Sequence, residues 1–234
     1  MVPICGCLSA EVDLFAAFVI GAIGIDALRH MSHRRQLALV LIPLTLAFHQ
    51  LIEAGAWWSL EGRVPEVVGS VSIYIYLAIA LVVVPILIPY AVRNVEPNPR
   101  RRRWMTPFLA VGVFTGVALG VILLVGPVSA SIGGYYIDYR IGYTFHDAAG
   151  SVYLAAVAVP LMLSSHRSFV FLGVLNLVLV AGLGWLNAAG VVSLWCAAAA
   201  LQGIVIAHHV RTEAGQPWKL PEWLRSLRLP LRTG

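Results

Sequence analysis

The feature that most limits the fold is a series of seven apolar runs, at 12–28, 37–58, 67–92, 104–125, 145–163, 169–186 and 191–210. Each is near the ~20 residues a helix needs to cross the hydrocarbon of a bilayer. No water is present there to bond a backbone amide or carbonyl, and a single segment meets that demand only as a helix. The chain is 12% charged, about half the roughly 25% of a soluble domain. The expected fold is all-α, a bundle of seven transmembrane helices.

The segments between the runs alternate in charge. Fifteen of the sixteen basic residues are Arg. The first, third and fifth loops hold three, five and one Arg, including Arg34, Arg35 and the block Arg100, Arg101, Arg102, Arg103. The second and fourth hold one each and the sixth none. Arginine is retained on the cytoplasmic side. The N-terminus is therefore expected outside and the C-terminus in the cytoplasm, in agreement with an odd number of spans. This divides the chain into an extracytoplasmic segment 1–11, a membrane domain 12–210 and a tail 211–234. The tail interleaves Trp218, Leu220, Trp223 and Leu224 with Lys219, Arg225 and Arg228, a short basic amphipathic segment suited to the membrane surface. The net charge of +5 serves topology and marks no nucleic-acid surface. No basic stretch followed by an apolar core opens the chain, so no cleavable signal peptide is expected.

The second run carries His49 and Glu53, four residues apart and so on one face of a helix. An ionisable pair inside an apolar span is costly and needs a partner, a water or a ligand. Sorted by depth, Cys7, His49, Gln50, Glu53, His146, Asp147 and Cys196 fall in the outer half, with Cys5, Glu11 and Asp13 at the outer end of the first run. Thiols, imidazoles and carboxylates are the ligands of zinc, copper and iron. A transition metal or haem held by His49, Glu53, Cys7 and Cys196 is one reading. A hydrogen-bonded pair that ties the helices together is another, and a protonatable group on a transport path is a third. A disulfide from Cys196 to Cys5 or Cys7 is a further expectation on an oxidising outer side. Asp26, His30, His33, His166, His208 and His209 fall on the inner side. His208 and His209 point about 100° apart on a helix, so they cannot both face one site. No HExxH, GxSxG, P-loop or CxxC motif occurs, which leaves enzymatic activity open, and the only Lys, Lys219, lies in the tail, so the seventh run has no lysine to hold retinal.

Two spans carry packing signals. Gly112, Gly116 and Gly120 form one helical stripe on which another helix or subunit can approach closely. Pro85 and Pro89 each remove a backbone donor, which predicts a kink in the inner half of the third span. In the fourth loop, Tyr135, Tyr136, Tyr139 and Tyr143 alternate with Ile and charge. This predicts a short extended segment or hairpin over the bundle.

Three stretches resemble a family of uncharacterised bacterial multi-span integral membrane proteins. CLSA at 7–10 is similar to its Cys-Phe-Ser-Ala motif. LAFHQLIEAGAWW at 46–58 is similar to its Phe-Ala-x-[His/Gln]-Gln-x-x-Glu-Gly-x-x-Trp motif. SLWCAAAA at 193–200 is similar to its Ser-Val-Trp-Cys-Phe-Phe-Ala-Ala motif. Leu8, Ala54 and the pair Ala197, Ala198 depart from it. The resemblance implies a multi-pass protein of a bacterial-type inner membrane and supplies no activity. Three functions are open: a polar site in the outer half centred on His49 and Glu53 that binds a metal or haem, an accessory subunit of a larger membrane complex that associates through the fourth span, and a small-solute or proton-coupled transporter.

Overall fold

The structure is a computed structural model and describes residues 9–133, 136–142, 147–187, 199–216 and 218. Its described residues are mostly helical and form seven helices. They are α1 (Ala10–Arg29), α2 (Leu37–Leu60), a continuous helix made of α3 (Glu66–Ala78), a wide π turn (Ile79–Val83) and α4 (Val84–Val95), then α5 (Pro99–Val125), α6 (Asp147–Met162), α7 (Arg167–Asn187) and α8 (Ala199–Glu213). Three of these, over Arg34–Leu60, Glu66–Val95 and Pro99–Val125, are long and apolar enough to cross a membrane. Shorter apolar helices occupy Gly150–Met162 and Arg167–Gly182. α1 is long enough too, but it carries Glu11, Asp13, Asp26 and Arg29.

The packing is inverted relative to a water-soluble bundle. Phe15, Phe18, Phe114 and Leu124 are 70–82% exposed on the outer faces of α1 and α5. Asp13, Gln36, His49, Gln50, Glu53, Asn176 and Gln202 are buried inside. Apolar faces this extensive require an apolar surrounding, while polar side chains inside a bundle serve as contacts between helices.

The predicted kink takes a different form. Val84 N–H reaches back five residues to Ile79 O, which defines the wide turn. Pro85 is next and has no N–H to offer Ala80 O. Tyr153 of α6 supplies the missing donor, with its hydroxyl 2.6 Å from Ala80 O. The helix thus runs on through Pro85, because a neighbouring side chain replaces the lost backbone bond. α5 lies against this turn through its glycines. A Cβ on Gly112 would overlap Pro85 O, and one on Gly116 would sit 3.0 Å from Val82 O. One on Gly120 would sit 3.2 Å from Val82 Cγ2.

The start of α5 corrects the loop boundary. Arg100, Arg101, Arg102 and Arg103 belong to the helix rather than to the loop before it. Asn98 caps the helix by accepting from Arg100 N–H and Arg101 N–H, and Pro99 occupies the first turn. Arg101 also donates to Leu163 O and Ser164 O at 3.0 and 2.9 Å. Those carbonyls end α6, where a helix favours a cation.

Most of the helices meet at this basic end. Arg211 of α8 grips both oxygens of Asp26 of α1, at 2.7 and 2.8 Å. Gln36, just before α2, donates to Glu213 of α8 at 2.5 Å. Glu96 follows α4 and accepts four hydrogen bonds, from Asn98 N–H, Ser165 N–H and the hydroxyls of Ser164 and Ser165, at 2.5–3.0 Å. At the other end the tyrosine-rich loop forms a hairpin, as its alternation predicts. Strand β1 (Val128–Ile132) pairs antiparallel with β2 (Ile137–Ile141), with Ala130 opposite Tyr139. Arg63, in the α2–α3 loop, bridges Glu11 of α1 to Glu61 at that end.

Two predictions follow from these contacts. Gly112→Ala gains up to ~1 kcal/mol of helix propensity, but its methyl strikes backbone, and overpacking of that kind costs ~1–3 kcal/mol. The thermal midpoint in detergent is expected to fall, while Gly21→Ala, whose Cβ would lie an ordinary 3.6 Å from Ala47 Cβ, is expected to hold or raise it. Glu96 yields a pH dependence. Burial raises its pKa, but the bonds from Ser165, Asn98 and Ser164 outweigh this and hold it below the usual carboxylate value. A depressed folded pKa stabilises above the unfolded value and is lost as pH falls through the folded one. Glu96→Gln is therefore expected to be less stable than wild type at pH 7, and the gap between their melting curves should close below about pH 4.

Candidate functional site

The inner face of α2 builds the site. His49, Gln50 and Glu53 are each 1% exposed. His49 and Glu53 share one stripe, and Gln50, one residue on, is rotated toward α1. Trp57, one turn beyond Glu53, is buried as well.

His49 turns toward α3. Its Nε2 is 3.1 Å from Tyr76 O, and a carbonyl only accepts, so Nε2 carries the proton. Its ring stacks on the Tyr76 ring at 3.8 Å and 19°. Tyr76 in turn stacks on Tyr139 of β2 at 4.6 Å and 20°. Three rings thus run from α2 through α3 to the hairpin. Ile137 of β2 is fully buried and packs with Ala10, Ala54, Ala56 and Trp57. The hairpin therefore closes this end of the α1–α2 pair.

Gln50 turns toward α1. Its Nε2 donates to Asp13 Oδ1 at 3.3 Å. Asp13 is 2% exposed. It lies on the inward stripe of α1 with Ala10, Ile20, Gly24 and Ala27. Neither Asp13 Oδ2 nor Gln50 Oε1 makes a hydrogen bond among the described residues. The Trp57 indole is the neighbouring donor that faces Asp13, although the pair does not meet hydrogen-bond geometry. Two adjacent acceptor oxygens are thus buried with capacity to spare. Such a pair suits a proton, a cation or a small donor molecule.

Of the residues singled out in the sequence, His49, Gln50 and Glu53 are on one buried face. Cys7, His146 and Cys196 lie outside the described residues, as do Cys5 and the side chain of Asp147. Their part in a metal site or disulfide is not described. Asp13, Tyr76 and Tyr139 were not among the candidate site residues. Asp13 had a legible signal, its spacing from Gly24 and Ala27 on one helical face. Tyr76 had none, because a stacking partner in another span leaves no local pattern.

A family model matches residues 6–219 of the chain. The chain belongs to DUF6629, a family of unknown function. No curated protein matches this DUF6629 chain, and no solved structure does. Membership in DUF6629 agrees with the resemblance to an uncharacterised family and assigns no activity, so any role must come from the site itself.

Proposed function

We propose that the chain is a seven-span membrane protein, N-terminus outside, that holds a small cation or cationic ligand in the outer half of its bundle. The observation that carries this reading is the buried pair Asp13 Oδ2 and Gln50 Oε1, two acceptors that make no hydrogen bond among the described residues. Glu53, equally buried, lies on the neighbouring stripe of α2 with His49. This set of hard oxygens suits an alkali or alkaline-earth cation, or an ammonium group. A haem or transition metal on His49 is less well supported. Among the described residues no group of three metal-ligand side chains includes His49, and one ring face is covered by the Tyr76 ring. The ring stack and the hairpin over the α1–α2 end support a resident ligand rather than a transported one.

The binding test uses full-length protein purified gently in detergent. Element analysis is expected to find about one tightly held cation per chain, or added Na⁺, K⁺, Ca²⁺, Mg²⁺ or ammonium to raise the melting temperature. Asp13→Asn should abolish that effect, while His49→Ala should retain it. Protein that carries no cation, and that none of these ions stabilises, sinks the reading. A Soret band lost in His49→Ala would restore the haem alternative instead.

The orientation has its own test. Arg63→Cys and Arg100→Cys flank the helix over Glu66–Val95, and both positions are exposed. In a cysteine-free background, an impermeant thiol reagent should label position 63 in intact cells and position 100 only after permeabilisation. The reverse order would invert the topology, and labelling of both from outside would mean that this helix does not cross.

A further inference from the structure

A second cluster lies at the opposite, basic end, and the site under α2 does not account for it. His166 opens the α7 turn, and His209 and Glu213 lie one turn apart on α8. A ring nitrogen from each histidine and a carboxylate oxygen of Glu213 all fall within 4.8 Å of one another. His33, in the turn before α2, places its Nε2 3.8 Å from Glu213 Oε2. We infer that this end of the bundle binds a divalent transition-metal ion of the zinc class, held by His166, His209 and Glu213 with His33 as the fourth ligand.

The strongest support is His209. It is 8% exposed, and its Nε2 makes no hydrogen bond. That nitrogen is 3.6 Å from Glu213 Oε1, too far for a hydrogen bond and close for two ligands of one ion. Zinc bonds nitrogen and oxygen at ~2.0–2.2 Å, so tetrahedral donors stand roughly 3.4 Å apart. The His209–Glu213 and His33–Glu213 separations are within a few tenths of an ångström of that. Among His166, His209 and Glu213 the separations reach at most 4.8 Å, so closure of up to about 1.4 Å brings them to that spacing, and His33 approaches from the Glu213 side.

The surroundings fit a ligand shell. Gln36 donates to Glu213 Oε2 at 2.5 Å and fixes the carboxylate, as outer partners of metal ligands do. The His166 ring packs edge-on to His209 at 4.5 Å, and Phe169 lies against both. A cavity of about 650 Å³ lined by His33, Arg34, Arg35, Glu96, His166 and Glu213, among others, gives access from the surface. Three imidazoles and one carboxylate select zinc, cobalt or nickel over calcium or magnesium, which take oxygen ligands. Adjacent His208 is excluded, since it turns toward Trp218, 6.0 Å away. The ion would join the entry to α2, the start of α7 and the end of α8, and so act as a clamp.

The test uses the full chain purified with a tag that lacks histidine, stripped with chelator and titrated with Zn²⁺ or Co²⁺. Wild type is expected to bind one ion per chain at micromolar concentration, with a tetrahedral Co²⁺ visible spectrum. His166→Ala and Glu213→Gln should each weaken binding roughly tenfold or more. Because His209 is packed in the core, the decisive variants are these two and His33→Ala, whose side chain is half-exposed. His30→Ala and Asp13→Asn should leave the affinity unchanged, which separates this site from the one under α2. No stoichiometric Zn²⁺ in wild type overturns the inference, and so does binding that is unchanged in both His166→Ala and Glu213→Gln. A Co²⁺ spectrum dominated by thiolate charge transfer and insensitive to the histidine variants overturns it as well.

Discussion

A carbonyl that loses its backbone donor in an apolar interior must find another donor, and the helix over Glu66–Val95 is built around that demand. Pro85 withholds an amide, the turn at Ile79–Val83 widens, and Tyr153 of α6 answers Ala80 O. Just before the turn, His49 of α2 takes Tyr76 O. On the other side, Gly112 and Gly116 bring α5 onto Pro85 O and Val82 O. Three neighbouring helices are thus registered against one irregular stretch of backbone. A bilayer offers little hydrophobic drive between helices, so such polar and close-packed contacts carry much of the specificity.

The architecture was largely legible in the sequence because apolar run length maps directly onto helix length. The runs at 12–28, 37–58 and 67–92 match Ala10–Arg29, Leu37–Leu60 and Glu66–Val95 to within three residues. The run at 104–125 understates its helix, since hydropathy ignores a capping Asn98 and counts the arginine block as loop. The prolines mark an irregular helix, but its form depends on Tyr153, a residue in another helix. At the site, α2 announced itself by His49 and Glu53. The sequence places Asp13 at the outer end of the first run, and its register with Gly24 and Ala27 turns it inward. The Tyr76–Tyr139 stack and the meeting of His33, His166 and His209 join distant segments, and no local periodicity encodes them.

The two ends of the bundle treat polar groups differently. Under the hairpin, the buried acceptors Asp13 Oδ2 and Gln50 Oε1 make no hydrogen bond among the described residues. At the basic end, Glu96, Asp26 and Arg211 are met several times over. A multiply bonded group resists rearrangement, whereas a buried acceptor without a donor favours any species that supplies one. The first end is therefore the one suited to hold a small cation, while the contacts of Glu96, Asp26 and Arg211 fix the helices at the second.

The Asp26–Arg211 and Gln36–Glu213 contacts join the first helices of the chain to the last. During synthesis α1 and α2 exist long before α8 does. Throughout that interval Asp26 lacks its guanidinium, and Gln36 lacks the carboxylate it will bond. The basic end can therefore lock only once the final helix has arrived. A chain cut short before α8 leaves Asp26 with the His30 ring beside it but without Arg211, so closure of this end waits on α8, the last of the described helices.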